Sequence, residues 1–230
     1  DGTRFFAEAT HAIRNPLTVI QSYLEILHSD LSDGFSDQQL TFLGIAYDNV
    51  MRLRDLIEDL ADIAALEAND AQLDLAPENI ADLVAQACNA IQPAVRRGKL
   101  SLAVDIEAND ASVLVDADRF KDVLRRILEN AVRFTDPGGA IRVGVHLHGD
   151  RVVVEVADTG AGIDPGKLDD IFEAFVQLHR KQGDRREGYG LGLSISRRLV
   201  EAFGGNLTAE STPGVGTVFK TEIPRCDVSK

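Results

Sequence analysis

Three glycine clusters lie between residues 158 and 217: Asp158-Thr159-Gly160-Ala161-Gly162, Gly188-Tyr189-Gly190-Leu191-Gly192-Leu193 and Gly214-Val215-Gly216-Thr217. Glycine lets a backbone approach a ligand closely and adopt positive φ. A helix N-terminus adds free N–H groups and partial positive charge, which suit phosphate. The first cluster follows the apolar run Val152 to Val156, and the second opens a helical pattern, so the second is a candidate phosphate cradle. It is not the phosphate-binding loop that ends in Gly-Lys-Ser/Thr, because no Lys-Ser or Lys-Thr follows it. It is not a dinucleotide turn either, because the glycines come late in their domain. Each glycine pair alone reads as a turn, so the chemistry rests on their succession and on the motifs beside them.

The elements that must hold these residues follow from periodicity. Phe6, Ile13, Ile20 and Leu27 recur every seven residues, and Leu17, Leu24 and Leu31 form a second series, which together make a coiled-coil-like seam. A second helix carries Leu43, Val50, Ile57 and Ala64, with Ala46, Leu53 and Leu60 three places on. Between them Ser32-Asp33-Gly34-Phe35-Ser36-Asp37 supplies turn and N-cap chemistry. The spacing predicts an antiparallel helical hairpin whose seams are too long for two helices to enclose, so it predicts a homodimer with a four-helix bundle, with packing against the chain's own C-terminal half as the alternative. His11 falls at heptad position b, beside the seam, which leaves its imidazole exposed. Pro16 costs a helical hydrogen bond and bends the backbone just after it.

From about residue 72 the pattern changes to alternating strands and helices. Leu100 to Ile106, Ile141 to Leu147, Val152 to Val156 and Thr217 to Ile223 read as strands, and 78–97, 117–134 and 191–203 as helices. The expected domains are a hairpin over 1–69, a linker over 70–76 and an α+β sandwich over 77–230. The 24 Lys and Arg against 37 Asp and Glu give a net charge of −13, which argues against nucleic acid as a partner. No run approaches the ~18 to 20 apolar residues of a membrane span, so no membrane contact is expected of this stretch. Cys88 and Cys226 show neither metal nor disulfide spacing, which fits a reducing, cytoplasmic setting. The start at Asp1 suggests a fragment of a longer chain.

Leu128-Glu129-Asn130-Ala131-Val132-Arg133-Phe134-Thr135 closes one helix, the three glycine clusters follow, and Phe172-Glu173-Ala174-Phe175 lies between the first two. This order resembles the N, G1, F, G2 and G3 boxes of the ATP-binding domain of two-component sensor histidine kinases. Thr10-His11-Ala12-Ile13-Arg14-Asn15-Pro16-Leu17 resembles their phosphoacceptor H box. Six motifs in order cover the whole chain, whereas the gyrase- and Hsp90-type ATPases lack the hairpin. The resemblance implies a mixed α plus α/β fold, in which the hairpin precedes an α+β sandwich of Bergerat type.

The resemblance also implies roles. His11 would take the γ-phosphoryl group of ATP and pass it to an aspartate of a response-regulator receiver domain. Arg14 would sit beside it, and Asn15, one helical turn on, would orient a water for dephosphorylating the partner. Asp158 would accept the exocyclic amine of adenine. Asn130 would hold Mg²⁺ through its amide oxygen, Arg133 would reach the phosphates, and Phe134 and Thr217 would border or bond the base. Gly160, Gly162, Gly188, Gly190 and Gly192 would give close approach, with Leu191 between the last two. Residues 176–187, with Arg180, Lys181, Gly183, Asp184, Arg185 and Arg186, read as a lid over ATP. His28, His146, His148 and His179 have no such setting.

Two positions depart from the pattern. Ala12 stands where an acidic residue usually polarises the imidazole, and Arg126 replaces the first Asn of the N box. Both keep open an alternative, a weakened or degenerate kinase that binds nucleotide and partner as a scaffold. An ATPase without histidine transfer is a further alternative, against which the hairpin and H box argue.

Overall fold

The computed structural model describes residues 17, 18, 20–22, 24, 25, 36–68, 71–178 and 189–226. His11, Ala12, Arg14, Asn15, Pro16, Gly188 and the charged run 180–186 lie outside them. The chain divides into two compact units, Asp1–Ala71 and Gln72–Lys230.

In the first unit residues 17, 18, 20–22, 24 and 25 are helical, and a second helix, α1, spans Asp37–Glu67. Ser36 caps α1 through a reciprocal pair with Gln39: the serine Oγ accepts from Gln39 N, and Gln39 Oε1 accepts from Ser36 N at 2.9 Å. The Tyr47 hydroxyl donates to Glu25 Oε1 at 3.3 Å and ties the two helices together. Of the expected α1 seam only Ile57 is buried, at 5% exposure, while Leu53 is 41% exposed; on the first helix Ile20 is 49% exposed. Phe42 and Ile45 are exposed as well.

The second unit builds a seven-stranded mixed sheet from the described residues. Its strands are β1 (Ala76–Asn79), β2 (Ser101–Ile106), β3 (Ser112–Val115), β4 (Ala140–His148), β5 (Arg151–Asp158), β6 (Asn206–Thr212) and β7 (Gly216–Cys226). The order is β1-β3-β7-β5-β4-β2, with β6 also on β7. Only β2 and β4 run parallel; the other pairs are antiparallel. β7 lies along β5 on one side and divides its other edge between β6 and β3. Alternation buries Ile141, Val143, Val145, Val152, Val154, Val156, Phe219 and Ile223, and period-2 geometry places such residues on one face. That face meets the helices α2 (Ile80–Arg97), α3 (Ala117–Phe134) and α4 (Gly192–Ala202).

Local chemistry sets the helix starts. The Asn79 side chain accepts from Asp82 N at the head of α2. Asp116 caps α3 with Oδ1, which accepts from Asp118 N and Arg119 N, while its Oδ2 accepts from Asp74 N. Phe120 and Phe203 meet edge to face, centroids 6.2 Å apart, and join α3 to the end of α4. The sequence reading finds β2, β4, β5 and β7 but not β1, β3 or β6. β1 also occupies 76–79, so the helix expected from residue 78 begins at Ile80.

Candidate functional site

The site grows from the end of β5. Asp158 Oδ1 accepts from Gly160 N at 2.8 Å and from Thr217 N at 3.4 Å. Oδ2 receives no hydrogen bond among the described residues. The side chain is buried at 9% exposure. Burial pushes its pKa above the ordinary carboxylate value, and the two backbone N–H groups oppose that shift in part. One oxygen is therefore committed to the fold while the other remains an acceptor.

Backbone packing leaves no room for side chains around this carboxylate. A Cβ on Gly160 would lie 2.4 Å from Phe134 O, at the end of α3. Gly216 holds φ at +142°, and a Cβ there would lie 1.9 Å from Asp158 O. Both positions exclude every residue but glycine. Gly162 lies against Thr212, and Gly214 N donates to Ala161 O at 2.8 Å, which binds the first glycine cluster to the third.

Thr217 sits beside Asp158 in a hydroxyl chain. Ser211 Oγ donates to Gly216 O at 2.8 Å and accepts from Ile163 N at 2.8 Å; it lies 2.9 Å from Thr217 Oγ1. A serine has one proton to give. Spending it on Gly216 O makes Thr217 the donor to Ser211, so Thr217 Oγ1 faces any ligand as an acceptor. Ser211 is a residue of this candidate site that sequence reasoning missed.

On α3, Asn130 is half-buried, and its amide makes no side-chain hydrogen bond among the described residues. The Arg133 guanidinium lies 5.5 Å from the centroid of the half-buried Phe134 ring. The expected phosphate contact of Arg133 thus begins from a position on that ring.

The second glycine cluster is anchored from below. Gly190, at φ +74°, accepts at its carbonyl from Phe175 N, 3.0 Å away. Leu191 is buried at the N-cap of α4, and Gly192 is its first residue. Phe172, from the segment between the first two clusters, stands edge-on to Phe219, and the Arg197 guanidinium lies 4.6 Å over its ring. The unit therefore brings together Asp158, Thr217 and the first and third clusters through direct bonds, whereas the second cluster is fixed to 172–176.

No group of three His, Cys, Asp or Glu capable of holding a metal occurs among the described residues. On α3 a divalent cation would find the uncommitted Asn130 amide oxygen, a hard donor, and would need phosphate oxygens to complete its shell. The residues present fit Mg²⁺ arriving with a nucleotide better than a free-standing metal site.

Comparison with known proteins gives two domain matches. Residues 115–227 match the family of histidine kinase-, DNA gyrase B- and HSP90-like ATPases, and residues 3–69 match the His kinase A phospho-acceptor domain. The circadian input-output histidine kinase CikA of Synechococcus elongatus is 33% identical over 222 residues, which are 96% of this chain and 29% of CikA. The sensor protein TorS of Escherichia coli K12 is 35% identical over 96% of this chain and 24% of its own length. The adaptive-response sensory kinase SasA of a Synechococcus strain is 32% identical over 96% of this chain and 59% of its own. The chain thus spans a quarter to three fifths of these relatives. Among solved structures, full-length ShkA in complex with AMPPNP superposes with a TM-score of 0.84 at 28% identity, covering 99% of this chain and 47% of ShkA.

Proposed function

Because the chain belongs to the two-component sensor histidine kinases, we propose that it transfers the γ-phosphoryl group of ATP to His11 and then to a receiver-domain aspartate. The observation that carries the nucleotide reading is Asp158, a buried carboxylate with one oxygen bonded to the fold and the other open. An open carboxylate oxygen accepts the exocyclic N–H of adenine and repels guanine's carbonyl at the same place. Thr217 Oγ1 adds an acceptor beside it, and Phe134 offers a ring edge to the base. The glycines hold backbone close to the nucleotide, with α4 turned N-terminus first toward the phosphates. Bound Mg²⁺ would neutralise phosphate charge, with the Asn130 amide oxygen as its protein ligand.

In the transfer, the bond between γ-phosphorus and the bridging oxygen breaks as an N–P bond forms on the His11 imidazole. ADP leaves with the bridging oxygen, and the imidazole proton passes to solvent. The receiver carboxylate then takes the phosphoryl group as an acyl phosphate and restores the imidazole. Asn15 would orient water for hydrolysis of that acyl phosphate, the phosphatase half-reaction, and Arg14 would lie near the transferred group. The work is divided between the hairpin of residues 1–69, a short linker over 70–76, and the nucleotide domain of residues 77–230. No helix among the described residues is long and apolar enough to cross a membrane. A cytoplasmic site of action follows from the ATP and receiver-domain reading.

Incubation with γ-labelled ATP and Mg²⁺ tests this reading. An acid-labile, base-stable label is expected on the parent and none on His11→Gln. Label retained by His11→Gln would move the phosphoacceptor elsewhere. Ala12 favours a second reading, the nucleotide- and partner-binding scaffold, for which ATP binds normally and no label forms.

The partner of the hairpin is a second copy. The half-open seam of α1 and the exposure of Ile20 and Leu53 in the single chain support this. Charges at both positions would be costly to bury. The Ile20→Glu/Leu53→Glu protein is therefore expected to sediment as monomer or to unfold, and an unchanged dimer mass in light scattering would reject these faces.

A further inference from the structure

Ser211 has no part in the roles assigned above, yet it decides the polarity of a group that has. It lies on β6 directly opposite Thr217 of β7. Ile163 N donates to its Oγ at 2.8 Å, Gly216 O lies 2.8 Å away, and Thr217 Oγ1 lies 2.9 Å away. The backbone on either side is close-packed: a Cβ on Gly162 would lie 2.2 Å from Thr212 O, and one on Gly216 1.9 Å from Asp158 O. Ser211 is thus held between the first and third glycine clusters.

Its oxygen has one proton for three contacts. Two oxygens 2.8 Å apart attract only with a proton between them, and a carbonyl has none to give, so the Ser211 proton lies toward Gly216 O. The contact with Thr217 then takes its proton from Thr217. That uses the single hydroxyl proton of Thr217 and leaves its oxygen with lone pairs alone. Thr217 is buried at 5% exposure, and its own N–H donates to Asp158 Oδ1, so the hydroxyl belongs to the residue bonded to the carboxylate assigned to the base. Toward a ligand, the Asp158 carboxylate and the Thr217 hydroxyl then offer acceptors only.

We propose that Ser211 is a specificity-determining positioning residue: by holding the Thr217 proton it makes that hydroxyl an obligatory acceptor and bars purine nucleotides that carry a 6-oxo group. This role rests on the nucleotide reading above and deepens it, because the discrimination assigned to Asp158 is shared with a second residue. Without Ser211, Thr217 is free to turn its proton toward a ligand and to bond an oxo group. A hydroxyl that can turn serves either polarity, and one that is held serves a single polarity.

Calorimetry with ADP and IDP on the whole chain tests this, since IDP carries an oxygen in place of the 6-amino group and a proton on N1. The parent is expected to prefer ADP. Ser211→Ala should bind IDP about 3- to 10-fold more tightly than the parent does, the scale of one neutral hydrogen bond. Loss of a mere strut would instead weaken both nucleotides together. Ser211→Thr, which keeps the hydroxyl, should hold the parent's ratio. An unchanged or weakened IDP affinity in Ser211→Ala overturns the proposal. Should Ser211→Ala not fold, Thr217→Val decides: it removes an acceptor, so it should weaken ADP and spare IDP, and equal loss of both overturns the proposal as well. A parent that binds neither nucleotide, or both alike, overturns the adenine reading itself, a different failure.

Discussion

Asp158→Asn is expected to weaken adenine-nucleotide binding by about 10- to 100-fold, the range of a lost hydrogen bond to a charged group, and to raise the melting temperature of the ligand-free chain. The two effects share one cause. Asn can still accept from Gly160 N and Thr217 N, so the turn keeps its bonds, but no charge is held in a buried place. At the outer position an N–H replaces the open oxygen and meets the N–H of adenine donor to donor. The pH dependence has a definite sign. Because the folded-state pKa of Asp158 is raised above the ordinary 3.8, the folded parent holds its proton more tightly than the unfolded chain. Its stabilisation is full below the unfolded pKa and is lost as pH rises through the folded value. The melting advantage of Asp158→Asn should therefore grow with pH from about 4 upward and then level off. Calorimetric melts across pH, with ADP titrations at pH 7, measure both; a variant that melts below the parent at neutral pH and binds ADP as tightly as the parent would refute the assignment.

Ala12→Glu is expected to speed phosphorylation of His11 by at least ~10-fold in a single turnover, out of the ~10²–10⁴-fold that a positioned base contributes. Nucleotide affinity should barely change. Ala12 follows His11, the proposed phosphoacceptor, whereas Asp158, Thr217 and the glycines belong to the other unit, so the substitution should act on the imidazole and not on the nucleotide. Positioning and charge neutralisation supply most of the acceleration in phosphoryl transfer, which leaves the parent a slow but measurable rate. Rapid-quench kinetics with saturating ATP give the comparison. A parent already fast would mean that water or another group takes the imidazole proton. An Ala12→Glu protein with no phosphorylation would favour the scaffold.

Much of this architecture is legible in the sequence where burial imposes a period. β4, β5 and β7 alternate Ile, Val and Phe against the helices, and α3 repeats its apolar residues along one stripe, so their patterns leave little choice. β1 is Ala-Pro-Glu-Asn and β3 is Ser-Val-Leu-Val, each too short to show a period. β6, Asn-Leu-Thr-Ala-Glu-Ser-Thr, is a polar edge strand whose structure comes from its pairing with β7. The same division holds at the site. Asp158 and its glycines stand in a recognisable order. Ser211 does not, because its role comes from a hairpin that brings it to Thr217, and a serine in a polar stretch carries no local signal of that. The Asp122 and Arg126 pair has the spacing of a helical ion pair, four apart. Its place against Gly192 depends on the packing of α4, which no local spacing encodes.

The place of β7 between β5 and the β6 and β3 pair also fixes when the site can exist. Thr217 N reaches Asp158 Oδ1 across 59 positions, and residues 112–113 of β3 pair with 225–226 of β7. Until that strand arrives, Asp158 lacks one of its two donors and the sheet lacks an inner strand. The first unit is confined to residues 1–71. At a synthesis rate of ~5–20 residues per second, the 155 residues from 72 to 226 take roughly 8 to 30 s to make. During that interval the first unit is already made while Asp158 still lacks Thr217 N, so the candidate site is among the last parts of each molecule to be completed.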